Sequence, residues 1–246
     1  CLCFPKKSLH EIKSIEKKFF QHLCDMFVES IKSISISEAE IRKRYKFTNI
    51  EEVNKIEAAN KSILLMCAHY GSWEWIFIIQ RYVTTDGYAI YKKIENKYFD
   101  QLVRKIRAKY NTNLITNKET FTSMRDHKRL GKKGIYGFLS DQSPKLKSAY
   151  HWREFMNLKV PVHTGAEKLA KELDLAIVFF KTKKVKRGYY ETTFKTVTLN
   201  PNEFENYQIT DLFINYLEDM IHEEPAYYLW THKRWKHRNN VPKEFQ

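Results

Sequence analysis

A histidine and a glutamate follow an apolar run in the stretch Ser62-Ile-Leu-Leu-Met-Cys-Ala-His69-Tyr-Gly-Ser-Trp-Glu74. An imidazole can take a proton from a substrate hydroxyl. A carboxylate on one ring nitrogen fixes the tautomer and makes the other nitrogen a better base. His69 and Glu74 are therefore a candidate general-base pair. The alternative is an ordinary polar turn, in which Glu74 does no more than begin a helix.

The residues around this pair predict a strand, a turn and a helix. The buried strand would end just before His69, at the edge of a parallel sheet where ligand crevices form. Gly71 permits a tight turn, Ser72 can cap the next helix, and Glu74 then lies in the first turn of that helix. This turn would bring the carboxylate of Glu74 back toward the imidazole of His69.

The rest of the chain alternates predicted strands with predicted helices, a pattern typical of βα units and a parallel sheet. The predicted helices cover 8–33, 37–44, 50–59, 72–83, 97–110, 118–130, 163–173 and 208–222, with a last helix from Pro225. The predicted strands cover 62–68, 88–93, 113–116, 134–139, 150–154 and an antiparallel pair over 175–183 and 188–198. The fold class is therefore α/β, with a largely parallel central sheet and helices on both faces. We predict one domain over residues 1–246, with a helical lead-in over 1–48 and C-terminal helices.

Two more polar residues follow a predicted strand. Asp141 and Gln142 come directly after the strand over 134–139, so they would emerge at the same edge of the sheet as His69. On position alone, a turn before Pro144 is the favoured interpretation of the pair, because Asp and Ser are common in turns.

Four sequence blocks, in order along the chain, resemble the bacterial lipid A biosynthesis (late, or secondary) acyltransferases. The first, His69-Tyr-Gly-Ser-Trp-Glu74, resembles that family's H-[FY]-G-N-W-E box. The second block is Tyr91-Lys92-Lys93 with Asn96 and Arg107, which resembles Y-R-P-L-x-N-P and a downstream Arg. The third is Ser140-Asp141-Gln142-Ser143-Pro144, which resembles A-D-Q-S-P. The fourth is Tyr228-Leu-Trp-Thr-His-Lys-Arg-Trp-Lys-His-Arg238, which resembles Y-L-W-x-H-R-R-W-K-x-R. Lys92 stands where many relatives carry Arg, so a forked contact there would become a point-charge contact.

The resemblance implies transfer of a fatty acyl group from an acyl-thioester donor, acyl carrier protein or CoA, to a hydroxyl of a lipid A precursor. His69 would take the proton of that hydroxyl and Glu74 would stabilise the resulting imidazolium. The resemblance further assigns substrate-binding roles to Lys92, Arg107, Asp141 and Gln142. It calls for no cofactor and no metal.

The charge of the chain favours an anionic partner. Lysine and arginine number 43 against 29 acidic residues, a formal net charge of +14, which suits nucleic acid, an anionic membrane surface or an acidic carrier protein. The chain has no apolar run of bilayer length and begins without Met, so we expect a membrane anchor that is missing from this chain. The expected location is the cytoplasmic face of the inner (cytoplasmic) membrane.

Two other function classes remain open. A thioesterase or hydrolase would use the same His69 and Glu74 with water as the acceptor. A basic nucleic-acid-binding protein would fit the charge, although we find no RRM, KH, zinc-finger or helix-turn-helix pattern, so we expect no nucleic-acid partner. A metal site is not expected, because His232 and His237 lack carboxylate or thiol neighbours. The basic and tryptophan-rich run over 230–238 is predicted to be either an interfacial belt or a packed terminal helix.

Overall fold

The computed structural model describes residues 2–245, which form α-helices and strands in alternation through much of the chain. The α-helices are α1 (Leu9–Ser35), α2 (Glu38–Arg44), α3 (Glu51–Ala58), α4 (Lys97–Arg107), α5 (Thr120–Arg129), α6 (Gly165–Leu173) and α7 (Gln208–Glu223). The strands are β1 (Tyr45–Phe47), β2 (Ile63–Cys67), β3 (Gly87–Tyr91), β4 (Asn113–Thr116), β5 (Ile135–Leu139), β6 (Trp152–Phe155), β7 (Leu158–Pro161), β8 (Ala176–Lys186) and β9 (Tyr189–Thr198).

Seven of these strands form one sheet in the order β1-β9-β8-β2-β5-β3-β4. All neighbouring pairs in this sheet are parallel except β8 and β9, which form the predicted antiparallel pair. The strands β6 and β7 pair separately as an antiparallel hairpin. The predicted α/β class with a largely parallel central sheet is confirmed.

Helices cover both faces of the sheet. Alternate residues of β2 point to opposite faces, and both sets are apolar, so each face packs against helices. Leu64 and Met66 pack in a core with side chains of α5, α6 and α7. Ile63, Leu65 and Cys67 pack on the other side with α3 and with the 3-10 helix described next. The fully buried β2 reads as an unbroken apolar run for this reason.

The helix predicted over 72–83 is a 3-10 helix, Trp73–Arg81. Its first hydrogen bond runs from the amide of Trp75 to the carbonyl of Ser72, 3.3 Å away. Ser72 does not cap this helix as predicted, because its hydroxyl instead donates to Oε2 of Glu29 in α1 at 3.1 Å.

The last helix predicted from Pro225 is limited to one 3-10 turn, Pro225–Tyr227. The chain beyond it is extended, and its backbone at Tyr228 pairs with Tyr70 in the loop after β2. In a helix these backbone groups would bond within the helix and could not form this pair. The short strands β1 and β7 were not predicted, since each has four residues or fewer and shows no clear alternation.

Among residues 2–245, no helix is both long and apolar enough to span a bilayer.

Candidate active site

His69 and Asp141 meet at the carboxyl edge of the sheet. The strands β2 and β5 are parallel neighbours, and their register pairs Cys67 with Leu139. His69 and Asp141 each lie two residues beyond these paired ends, so the register carries them to equivalent positions. Nδ1 of His69 lies 2.8 Å from Oδ1 of Asp141. The expectation that the two residues share one edge is confirmed.

The hydrogen bond defines which nitrogen of His69 carries the proton. An ionised carboxylate only accepts, so Nδ1–H donates to Asp141 and the lone pair of Nε2 is left for a substrate proton. The Asp141 side chain is 2% exposed, whereas that of His69 is 17% exposed. The rings of His69 and Trp73 form a T-shaped contact, with centroids 5.2 Å apart. The imidazole is thus fixed on one side and accessible on the other.

Glu74 lies in a different ion pair from the one predicted. Nε of Arg107 donates to Oε2 of Glu74 at 3.0 Å, and a second guanidinium nitrogen donates to Oε1. Within residues 2–245, no hydrogen bond joins Glu74 to His69. The physical reason is that Arg107, at the end of α4, is mostly buried and needs a negative partner. The two carboxylate oxygens of Glu74 provide it by accepting two hydrogen bonds from the guanidinium. Burial alone would lower the pKa of Arg107, but the bonds to Glu74 outweigh it and the pKa is raised.

The loop between His69 and Glu74 is held by the segment near the C-terminus. The amide of Leu229 donates to the carbonyl of His69, and the amide of Gly71 donates to the carbonyl of Tyr227, both at 3.0 Å. Gly71 has a φ of +61°, and a Cβ built there would lie 3.0 Å from the carbonyl oxygen of Thr182 in β8. Glycine is required here both by the left-handed backbone and by the close approach of β8.

A buried arginine lies behind Asp141. Arg234 is fully buried, and one of its nitrogens donates to Oγ of Ser143 at 3.2 Å and to the carbonyl of Pro161 at 2.9 Å. Its charge interacts with Asp141 and with the hydroxyl of Tyr228. Burial, followed by the charge of Asp141, raises the pKa of Tyr228 well above its usual value. A positive charge near Asp141 offsets the cost of burying that carboxylate.

Sequence reasoning assigned no role to Arg234 by itself. The available signal was its place in the block over 228–238, which the structure joins to the block over 140–144. The amide of Ser143 donates to Nε2 of His232 at 3.3 Å, as a second bond between the same two blocks. The indole nitrogen of Trp235 donates to the carbonyl of Phe155 at 3.2 Å, so this half-buried tryptophan packs against the protein. The run over 230–238 forms turns and not a terminal helix, one of its two predicted forms.

The two other predicted substrate-binding residues lie at the same edge with free side chains. Lys92 directly follows β3 and is exposed, and Gln142 follows Asp141 and is half-buried. Among residues 2–245, neither side chain has a hydrogen-bond or ion-pair partner. Their substrate-binding roles stay predictions. The same residues contain no cluster of three or more His, Cys, Asp or Glu arranged to hold a metal ion.

Comparison with known proteins gives a match along nearly the whole chain. Residues 1–237 match the family described as bacterial lipid A biosynthesis acyltransferase. The chain is also similar to the lipid A biosynthesis lauroyltransferase of Escherichia coli (strain K12), with 22% identity over 249 residues. That alignment covers 99% of this chain and 79% of the relative.

Proposed function

Because this chain belongs to the bacterial lipid A biosynthesis acyltransferase family and is an O-acyltransferase, we propose that His69, oriented by Asp141, is its general base. The reaction that this base assists is the transfer of a fatty acyl group from an acyl thioester to a hydroxyl of a lipid A precursor. The observation that carries the proposal is the 2.8 Å contact from Nδ1 of His69 to Asp141, which leaves Nε2 available at the sheet edge.

The proposed reaction has two proton transfers and one acyl transfer. Nε2 of His69 takes the proton of the acceptor hydroxyl as its oxygen attacks the thioester carbonyl. The tetrahedral intermediate then expels the thiolate, which receives the proton from the imidazolium. The products are an ester and a free thiol. Asp141 stabilises the imidazolium between the two transfers, when His69 and Asp141 form an ion pair.

The intermediate also needs donors for its negative oxygen. The first amides of the 3-10 helix, at Trp73 and Glu74, have no partner within that helix and follow His69 in the chain. Arg107 is held beside them by Glu74. We therefore assign Glu74 and Arg107 to fixing this turn, and Lys92 and Gln142 to binding substrate.

The donor carrier, acyl carrier protein or CoA, and the membrane partner are part of the same proposal. A net charge of +14 favours an acidic carrier and an anionic bilayer. A lipid acceptor would be presented at a membrane surface, which supports a location at the cytoplasmic face of the cytoplasmic membrane.

The test is an assay with radiolabelled acyl-acyl carrier protein or acyl-CoA, with and without a lipid A precursor. Acylated lipid and free thiol should form together, and thiol release without acceptor should be much slower. His69→Ala should lower the transfer rate by about 10²- to 10⁴-fold.

The matched control is His151→Ala. His151 forms a second His–Asp contact, with Nε2 also 2.8 Å from Oδ1 of Asp211 and with a similarly buried side chain. This variant should keep the wild-type rate. Equal thiol release with and without acceptor would instead support the hydrolase, and an unimpaired His69→Ala would contradict the mechanism.

A further inference from the structure

The helix α1 directs apolar side chains away from the protein between Phe20 and Ile34. Five large apolar residues recur there at helical spacing and are exposed: Phe20, Phe27, Val28, Ile31 and Ile34. Phe27 and Ile31 are 66% and 69% exposed. From Phe20 to Ile34 the stripe runs about 21 Å at 1.5 Å per residue. An amphipathic helix in a soluble protein usually buries this side.

The opposite side of α1 is polar and faces the protein. Its buried residues include His22, Asp25, Glu29 and Ser33. Asp25 accepts from Lys184 at 2.9 Å and from Arg187 at 2.7 Å.

Two further contacts fix the orientation of α1. Glu29 accepts from the hydroxyl of Tyr190 at 2.8 Å, and Ser33 accepts from the indole of Trp75 at 2.9 Å. Because Asp25, Glu29 and Ser33 each have a specific partner, rotating α1 to bury its apolar stripe would break all of these bonds.

The neighbouring helix α4 extends the exposed apolar surface. The two helices are in contact, and the ammonium of Lys109, just after α4, donates to the carbonyls of Ser33 and Ile36 at 2.9 and 2.6 Å. On α4, Tyr98, Phe99 and Leu102 are exposed. We call the surface formed by Phe20, Phe27, Val28, Ile31, Ile34, Tyr98, Phe99 and Leu102 the α1–α4 face.

The exposed charges on the helices of this face are mainly basic. The acidic residues of α1 beyond Phe19 and of α4 are Asp25, Glu29 and Asp100, and all three are buried. The exposed charged residues of the same segments are Lys32, Lys97, Arg104 and Lys105. Exposed carboxylates border the ends of the face at Glu16, Glu38 and Glu95. A second copy of the chain would bring like charges together at the face, whereas an anionic surface would match them.

We propose that the α1–α4 face is the surface by which the protein enters the headgroup region of an anionic bilayer. Apolar side chains surrounded by basic ones are the features of helices that lie in a membrane interface. The choice of a bilayer over an acidic protein rests on the proposed function, since the proposed acceptor is a lipid. Both helices are bonded to the turn after His69, α1 through Glu29 and Ser72 and α4 through Arg107 and Glu74. Docking on this face would therefore hold the catalytic edge at the membrane surface.

The experiment is flotation of the whole chain with vesicles of phosphatidylglycerol and phosphatidylethanolamine, at low and high salt. Phe27→Ser with Ile31→Ser should reduce the bound fraction at high salt at least about tenfold, because apolar burial is not screened by ions. The matched control is Leu130→Ser with Val185→Ser, which removes two side chains that are 62% and 55% exposed elsewhere. The control should bind as the wild type does.

Three outcomes would overturn the proposal. The first is unchanged vesicle binding by the double variant when circular dichroism shows it folded, and the second is a wild-type chain that does not float. The third is a dimer that forms without lipid in sedimentation and that is lost in the double variant, which would assign the face to a second copy.

Acyl transfer measured on acceptor in detergent micelles separates this proposal from the proposed function. The double variant should be active there, whereas failure of the proposed function would leave a wild-type chain that floats but transfers no acyl group.

Discussion

His69 and Asp141 are joined across two neighbouring parallel strands, with Nδ1 of the histidine 2.8 Å from Oδ1 of the aspartate. Each residue follows by two positions the last residue of its strand, Cys67 or Leu139, and these ends are paired in the sheet. The contact is therefore set by strand register and not by the turn between His69 and Glu74. Its consequence is that the carboxylate on the imidazole comes from a residue 72 positions away in the chain.

Asp141→Asn should lower the rate of acyl transfer by about 10²- to 10⁴-fold, because a neutral amide cannot stabilise the imidazolium and can hold the ring in the wrong tautomer. The measurement is the rate at saturating acceptor across pH. Asp211→Asn, which alters the second His–Asp pair, should leave the rate unchanged. A wild-type rate for Asp141→Asn would show that the contact has no catalytic role.

Glu74 and Arg107 should be strongly coupled in stability. A double-mutant cycle with Glu74→Gln and Arg107→Gln, read by urea unfolding, should give a coupling free energy of at least about 1 kcal/mol, since both side chains are mostly buried. The same cycle on the more exposed Arg125–Glu172 pair should give a smaller coupling free energy, because water screens exposed charges. Equal coupling at the two pairs would contradict the role assigned to burial.

Gly71→Ala should destabilise the fold more than Gly131→Ala does. Both glycines have a positive φ, but a Cβ at Gly131 meets nothing within 4 Å, whereas one at Gly71 meets the carbonyl of Thr182 at 3.0 Å. Backbone strain of about 1 kcal/mol or more is common to both variants, and the steric term is added only at Gly71. Thermal unfolding of the pair measures the difference. Gly71→Ala should also slow acyl transfer, because the loop it displaces carries His69.

His22 should make the protein less stable in mild acid. Burial, and next the charge of Lys184, lower its pKa from 6.5 to about 4, while Asp25 opposes the shift. The unfolded chain therefore binds a proton that the folded chain does not between these two pH values. The contribution of neutral, buried His22 to the free energy of unfolding is complete above pH 6.5. It is lost as the pH falls toward 4, and the loss is on the order of 3 kcal/mol.

The measurement is the free energy of unfolding at a series of pH values for wild type and His22→Gln. The variant should show a shallower fall between pH 6.5 and 4 than the wild type. Parallel curves for the two proteins would show that His22 is free to protonate in the folded state.

The order of helices and strands follows from the sequence because it depends on local periodicity. The strand over 113–116 was predicted to the residue and β9 to within one residue, while β8 continues three residues beyond its predicted end. The helix α1 begins at a local signal of this kind, a capping box in which the amide of Glu11 donates to Oγ of Ser8 at 3.3 Å. Such signals lie within one helical turn or one strand, so they can be identified from the amino-acid sequence alone.

The sequence by itself also determined which residues follow the strands at the catalytic edge, since parallel strands all present the same end there. That rule identified His69, Asp141 and Gln142 as residues of one edge, whereas the binding role predicted for Lys92 came from the family resemblance. It did not say which carboxylate contacts the imidazole. Glu74 was the nearer residue along the chain, and Asp141 is the nearer one in space.

Tertiary structure decided the pairing of side chains and the direction in which α1 faces. The pairing depends on the register of β2 with β5 and on the arrival of Arg107 from α4, both of which join distant parts of the chain. The apolar stripe of α1 predicts an amphipathic helix whichever way that stripe points. The direction was fixed by partners for Asp25, Glu29 and Ser33, because a buried polar group without a hydrogen bond costs more than an apolar side chain left exposed.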